Sequence, residues 1–544
     1  MDIHGENAFK SKSYASAAFN IDKLQLALSD LDVRQIASIQ GIGSSSAQKI
    51  AELLETGKIE SLEKLIQETP PGILEMLQIK GVGPKKIHVI WKEMGIESIG
   101  ELLYACEENR LKLYKGFGEK TQQNIRENIQ FYLKSQGSHL YAYAELLLPG
   151  LESLIKKALG SVRFACTGKF KRQLETVEAI EFLVAAEIKE VKSKLIGIEG
   201  LEEHKTEGST ILYKTGAGID LCIHCAADQE WAKELVLSSA SDTFRIAFLQ
   251  EFAGTDFSTC FSEEEIFKKV SLPFIPACLR EEGEIIEQAR IKGIPELIAL
   301  QDVRGLIHCH SQWSDGSNSI EELALHAMAS GLEYMVISDH SKSAFYAQGL
   351  QEDRILAQHA QIDSLNSKLK PFHIFKSIEC DILNDGRLDY SDQVLAGFDL
   401  IIASVHSNLK MPLEKAMARL IRAIENPFTT ILGHPTGRLL LSRNGYPVDH
   451  KKIIDACAAN HVAIELNANP NRLDLDWRYI SYAIEKNVLI SINPDAHVLE
   501  GVNDIRYGVL QAQKAMVSPA QNLSSFGLQA FREHLQKIKQ LKGI

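Results

Sequence analysis

The chain has 544 residues, 45% of them hydrophobic and 24% charged, with a formal net charge of −12. That length suits three or four domains of about 150 residues and that composition suits a soluble globular protein. The acidic balance excludes a strong overall basic field, so any affinity for nucleic acid must come from local devices. No run approaches the roughly 18 apolar residues of a membrane span. The opening MDIHGENAFKSKSY is polar and lacks the apolar core of a signal peptide. Nine scattered cysteines predict reduced thiols and a cytoplasmic setting without membrane partners. Cys222-Ile-His-Cys225 is a solitary CxxC in an alternating, strand-like run, and packing explains it better than zinc.

Residues 1 to about 136 read as helical, punctuated by three short glycine turns: Gly41-Ile42-Gly43, Gly81-Val82-Gly83 and Gly116-Phe117-Gly118. Each precedes a helix start, SSSAQKIAELL, PKKIHVIWKEM or EKTQQNIRENI. This is the helix-hairpin-helix pattern. Glycine permits the tight turn, and the helix that follows offers free backbone amides to a phosphate. Lys85, Lys86 and Lys120 stand close by to add charge. The expectation is contact to DNA through its backbone, independent of sequence.

The opening GENAFKSKSYASAAFNI, taken with these hairpins, resembles the start of family X DNA polymerases. In that reading, residues 1–80 are a lyase-like helical domain, with Lys10, Lys12 and Lys23 as phosphate contacts or solvated lysines. The opening helix presents Phe9, Tyr14 and Phe19. Residues 81–137 are a fingers-like helical domain. Residues 138–236 read as an α/β unit, and the family's palm places its first pair of catalytic aspartates just after a Glu-Thr-Val landmark. Glu175-Thr176-Val177 matches it, and the two aspartates fall on Ala179 and Glu181; the third is present as Asp220. The family's Gly-Ser pair falls on Gly168-Lys169. Two-metal phosphoryl transfer needs carboxylates around two cations about 4 Å apart. Alanine supplies no ligand, and glutamate would displace a cation by about 1 Å, an error that can cost about a hundredfold in rate. The palm is therefore expected to be degenerate and DNA polymerase activity absent. Residues 237–300, acidic and punctuated by Pro273, Pro276 and Pro295, resemble the thumb and the linker beyond it.

Residues 301–544 repeat a strand, loop, helix rhythm and hold twelve of the seventeen histidines. LIHCHSQWSDGSNSIEELALHAMASGLEYMVISDH opens the region. Alternation on its first strand puts His308 and His310 on one face and Cys309 on the other. Further strand-like runs end near Glu379, His406, His434 and Asp495-Ala-His497. Ligand types at strand C-termini mark the active end of an α/β barrel. Together these runs resemble the PHP (polymerase and histidinol phosphatase) domain, and the whole chain resembles bacterial family X polymerases that carry one at the C-terminus.

The resemblance implies a multidomain protein: an all-α helix-hairpin-helix region, an α+β nucleotidyltransferase-like palm and thumb, and a distorted TIM-like (βα)7 barrel. It implies up to three divalent cations. His308, His310, Glu379 and Asp495 would hold the first; Glu379 would bridge to the second, with His406 and His434; Asp315, His340 and His497 would hold the third. So many histidines favour manganese or zinc over magnesium, and imidazole suits iron as well. Glu379 and Asp495 are the central candidates for catalysis. Arg438, in GHPTGRLL, is a candidate phosphate grip or a surface ion pair, and Lys342 a weaker one. His326, His359, His373, His450 and His461 fall on helices or loops and are read as ordinary residues. The implied function is a metal-dependent 3′–5′ exonuclease in DNA repair, acting as a monomer on gapped, nicked or 3′-ended DNA. The alternatives are a gap-filling polymerase with an attached exonuclease, and a phosphatase for a small phosphomonoester. A DNA-end binder without activity is disfavoured by the intact ligand set.

Overall fold

The structure is a computed structural model that describes residues 1–6, 8–21, 28–133 and 137–544; Lys23 lies outside them. The chain divides into two compact units, Met1–Tyr132 and Leu133–Ile544.

The first unit is helical. A helix spans Ala8–Ile21, with Phe9 and Phe19 exposed. The three glycine turns share one geometry. Gly41, Gly81 and Gly116 have φ of 82°, 87° and 95°, a region that glycine enters without steric cost. The residue between each pair of glycines, Ile42, Val82 or Phe117, is buried and anchors the turn. Gly43 and Gly83 are then N-caps of the helices Ser44–Thr56 and Pro84–His88, and Gly118 precedes Glu119–Leu133. Lys86 donates to the Gly81 carbonyl at 2.8 Å, while Lys85 and Lys120 are exposed.

The second unit begins with a five-stranded mixed sheet: β1 (Phe164–Thr167), β2 (Ala179–Val184), β3 (Leu201–Glu207), β4 (Thr210–Thr215) and β5 (Asp220–Cys225). The spatial order is β1-β2-β5-β4-β3, with β2 and β5 parallel and the other pairs antiparallel. Helices Tyr141–Leu159 and Ile188–Leu195 bury the face carrying Ile180, Phe182, Leu221 and Ile223. A helical segment follows, packed around Phe244, Phe248, Phe257 and Phe267.

The rest is a parallel barrel of β6 (Gly305–Cys309), β7 (Tyr334–Ile337), β8 (His373–Asp381), β9 (Leu400–Ser404), β10 (Ile431–Leu432), β11 (Ala463–Asn467) and β12 (Ile490–Asn493), in sequential order. Helices on the outside and side chains within bury both faces, so the strands read as continuous apolar runs such as YMVI and LIIAS. A bridge from Cys309 to Ala496, with the His310 N–H donating to the Ala496 carbonyl at 2.9 Å, joins the last strand to the first. Helix Leu528–Lys542 plugs the N-terminal end, where Phe531 stacks on Tyr334 with ring centroids 4.6 Å apart.

One buried cation ties the mixed sheet and helical segment to the barrel. Lys514, on helix Ile505–Lys514, donates to the carbonyls of Arg172 at 2.8 Å and Cys278 at 3.3 Å and to Glu281 Oε1 at 2.9 Å. Arg172 meets the same Glu281 oxygen at 3.2 Å. Removing one partner of a buried charge network leaves the other uncompensated. Lys514→Ala should therefore lower the stability of this unit by about 3 kcal/mol, checked by chemical denaturation.

Candidate metal centre

The site begins with a defect in β6. Its pairing with β7 slips one residue between Ile307 and Cys309, and His308 at the slip has φ of 64°. Leu306 and Cys309 both pack outward against the helices, while Ile307 faces the barrel interior. Uninterrupted alternation would send His308 and His310 outward with Leu306. The bulge inserts one residue and turns both imidazoles inward. The sequence-based expectation of one shared face is met, but through a bulge rather than simple alternation.

The turn after β6 brings in Asp315. Its Gly316 is required by a close approach: a Cβ there would lie 2.3 Å from the His310 carbonyl oxygen. His340 follows β7 and Glu379 lies within β8, while His406 and His434 follow β9 and β10. Asp495 and His497 follow β12, with Asp495 also in the left-handed region at φ of 54°. The cluster is buried apart from half-buried His406.

Glu379 is the hub. Its Oε1 lies 2.9 Å from His434 Nε2, 3.0 Å from His406 Nε2 and 3.4 Å from His308 Nε2. Its Oε2 lies 2.8 Å from His340 Nδ1 and 3.7 Å from His310 Nε2. Asp495 Oδ1 sits 3.0 Å from His310 Nε2 and 3.3 Å from His308 Nε2. Asp315 places its oxygens 3.5 Å from both His340 Nε2 and His497 Nε2. Three sets of donor atoms therefore converge: His310, Asp315, His340 and His497; His308, His310 and Asp495; His340, Glu379 and His406. Within each, all donor atoms lie within 4.8 Å of one another.

Those donors suit cations better than they suit each other. His308 Nε2, His310 Nδ1, both nitrogens of His340, Asp315 Oδ2 and Glu379 Oε2 are buried and make no hydrogen bond. Buried polar atoms are nearly always satisfied, so so many orphans in one place mark missing partners. Burial opposes a charge on Glu379, yet His406, His308 and His340 hold its carboxyl well below the usual range. Burial, reinforced by His497 and His340, lowers His310 to about 3, leaving a neutral ring with a lone pair to give.

A surrounding layer orients the rings, and sequence reasoning missed it. Glu465, in β11, meets His308 Nδ1 at 2.5 Å and accepts the His434 backbone N–H at 2.6 Å. Asp381 meets His406 Nδ1 at 3.0 Å, and Asn467 donates to Asp495 Oδ2 at 3.0 Å. Asp339 accepts from Ser311, Ser314 and Gln358 and pins the turn carrying Asp315. A signal existed for two of these. Asp381 stands two residues beyond Glu379 on the same strand face, and Glu465 ends an apolar run as Glu379 does.

The other expected residues are placed elsewhere. Arg438 is committed to Asp476 at 2.7 Å and to the carbonyls of Arg472 and Leu473, which is the ion-pair arrangement. Lys342 reaches Glu352 at 3.3 Å. The glycine turns and their lysines belong to the helical unit.

A protein from Bacillus subtilis named "DNA polymerase/3'-5' exonuclease PolX" is 33% identical over 560 residues, covering 99% of this chain and 97% of its own. The chain belongs to the bacterial family X DNA polymerases that carry a C-terminal PHP domain. Models of a helix-hairpin-helix domain and of a SAM-like helix-hairpin-helix tandem match residues 1–59 and 73–130. A "Probable phosphatase" from Caldanaerobacter subterraneus is 27% identical over 194 residues, 33% of this chain and 70% of that protein. Another from Syntrophotalea carbinolica is 25% identical, over 40% of this chain and 89% of its own.

Against that family's palm, the register is informative. Ala179 pairs with Asp220 across β2 and β5, so the position beside that aspartate carries a methyl group. Asp220 is paired with Lys214 at 2.8 Å and Glu181 with His224 at 2.9 Å. Gly168 has φ of 69°, and a Cβ there would lie 2.0 Å from Glu181 Oε1, so a side chain at this position would displace the Glu181 carboxylate.

If Glu465 fixes the tautomer and aim of His308, Glu465→Ala should weaken metal binding about 10- to 100-fold while leaving the fold intact. Competition titration with a chelator, alongside circular dichroism, checks this.

Proposed function

We propose that this protein is a DNA-binding, metal-dependent phosphodiesterase, a 3′–5′ exonuclease of DNA repair whose polymerase site is inactive. The observation that carries the reading is the convergence of five imidazoles on the buried carboxylate of Glu379. His308, His310, Glu379 and Asp495 would hold one cation, Glu379, His406 and His434 a second, and Asp315, His340 and His497 a third. Manganese or zinc fits this nitrogen-rich set better than magnesium. Bound divalent cations supply charge against phosphoryl oxygens and lower the pKa of water at neutral pH. The chain's own residues do the rest. Glu465 and Asp381 aim the rings of His308 and His406, and the Asp339 network holds Asp315 in place. Neutral His310 keeps a nitrogen lone pair available for coordination. The carboxylates offset the cations, so the site accepts an anionic diester without a large net charge.

The helix-hairpin-helix turns would bind gapped, nicked or 3′-ended DNA through its backbone. Their second glycines support this. Gly43, Gly83 and Gly118 lack positive φ, and a Cβ there would meet nothing within 4 Å. Nothing in the chain crowds these positions, so a glycine there would leave room for a ligand's backbone to approach. The family's polymerase activity is disfavoured here by Ala179 beside Asp220. The protein would act as a monomer in the cytoplasm.

The decisive assay uses Mn2+ and gapped DNA labelled at the 5′ end of the primer strand, with and without dNTPs. The parent chain should shorten the strand and never extend it, and Glu379→Gln should abolish shortening while retaining DNA affinity. Template-directed extension that Asp220→Ala removes would instead establish an active polymerase. A substrate range limited to small phosphomonoesters would establish the phosphatase alternative.

Gly83→Val with Gly118→Val should weaken DNA binding about tenfold and flatten its dependence on salt, without lowering thermal stability. Fluorescence anisotropy across a salt series reads both effects.

A further inference from the structure

The palm holds a second ligand cluster that the barrel chemistry does not use. Glu181 and Cys222 are direct register partners on the parallel strands β2 and β5, and His224 lies two residues beyond Cys222 on the same face. The Cys222 thiol sits 3.6 Å from His224 Nε2, and Glu181 Oε2 sits 2.9 Å from the same nitrogen. All three donor atoms lie within 4.8 Å of one another and are half-buried. Cys225 is not part of the set. It falls on the opposite face, packed with the core around Leu221 and Ile223. The chemically coherent motif is thus Cys-x-His with a cross-strand Glu, and not the CxxC visible in the sequence.

The surroundings orient each donor. Thr210 Oγ1 lies 3.0 Å from His224 Nδ1, so an Nδ1–H can donate to it and leave Nε2 with its lone pair aimed at the cluster. The Lys169 N–H donates to Glu181 Oε1 at 3.3 Å, leaving Oε2 turned toward His224. Zinc bonds of about 2.3 Å to sulfur and about 2.0 Å to nitrogen, at a tetrahedral angle, separate the two donors by about 3.5 Å. The Cys222–His224 distance fits that value, and Glu181 needs to open by only about half an ångström.

We infer that Glu181, Cys222 and His224 form a zinc site in the palm, with one coordination position open to water, separate from the barrel centre. One thiolate, one imidazole and one carboxylate are a borderline-soft set that selects zinc over magnesium or manganese. Binding releases the thiol proton and any proton on His224 Nε2 to solvent and breaks no other covalent bond.

Cobalt separates this site from the barrel, because no cysteine belongs to the barrel's donor sets. The full-length protein loaded with Co2+ should show a thiolate-to-cobalt charge-transfer band in the near ultraviolet. Cys225→Ser should keep the band and Cys222→Ser should lose it. In parallel, Zn2+ alone should slow alkylation of Cys222 in the parent at least tenfold, followed by peptide mass spectrometry; this reading needs no variant to fold. A fully cobalt-loaded protein without the band, a band that survives Cys222→Ser, or alkylation of Cys222 indifferent to Zn2+ would each overturn the inference.

Discussion

Everything in the barrel turns on the electrostatics of a buried carboxylate. Glu379 is sealed from water, and a lone ionised carboxylate in such a place is unfavourable by several kcal/mol. Five imidazoles close around it, but neutral rings cannot offset its charge and fully protonated rings would repel one another. Divalent cations held by these donors would offset that charge, each ring giving a lone pair and Glu379 a carboxylate oxygen. The same constraint explains why Glu465, Asp381 and Asp339 stand behind the cluster, each fixing a ring or turn that would otherwise hydrogen-bond inward.

The backbone is bent to serve that constraint. His308 and Asp495 occupy a left-handed conformation that is unfavourable for residues with a side chain. They lie on the two strands that meet where the barrel closes, and closure itself uses backbone bonds of their neighbours. Strain at the seam is supported by packing on both sides: Leu306 and Cys309 outside, and Ile307 with the plug around Phe531 inside. In the mixed sheet, Ala179 stands beside Asp220, and the nearby acids are paired: Asp220 with Lys214 and Glu181 with His224.

Much of this was legible in the sequence. Continuous apolar runs ending in His, Asp or Glu identify parallel strands with ligands at one end, and Gly-x-Gly before a helix start identifies the hairpins, because both signals are local. What escaped depends on register and tertiary reach. The bulge at His308 follows from its pairing with β7, not from any residue preference. Glu465 matters because barrel closure brings β11 within one strand of β6, which no local pattern reveals. Lys514 reads as an ordinary helix-end lysine until the carbonyls of Arg172 and Cys278, distant in sequence, close around it. The Cys222–Cys225 spacing is rightly not read as a zinc pair, since residues three apart on a strand face opposite ways; that Cys222 neighbours Glu181 on the adjacent strand depends on register.

The account's central claim is that the polar cluster at the barrel mouth is a multi-cation centre organised by Glu379. Anomalous diffraction from crystals of the protein equilibrated with Mn2+, recorded at the manganese edge, tests it most directly. The account predicts anomalous peaks between the Glu379 carboxylate and the rings of His308, His406 and His434, with a further peak among Asp315, His340 and His497. Crystals with no peak inside this cluster at saturating Mn2+, or with manganese bound only at surface carboxylates, would contradict it.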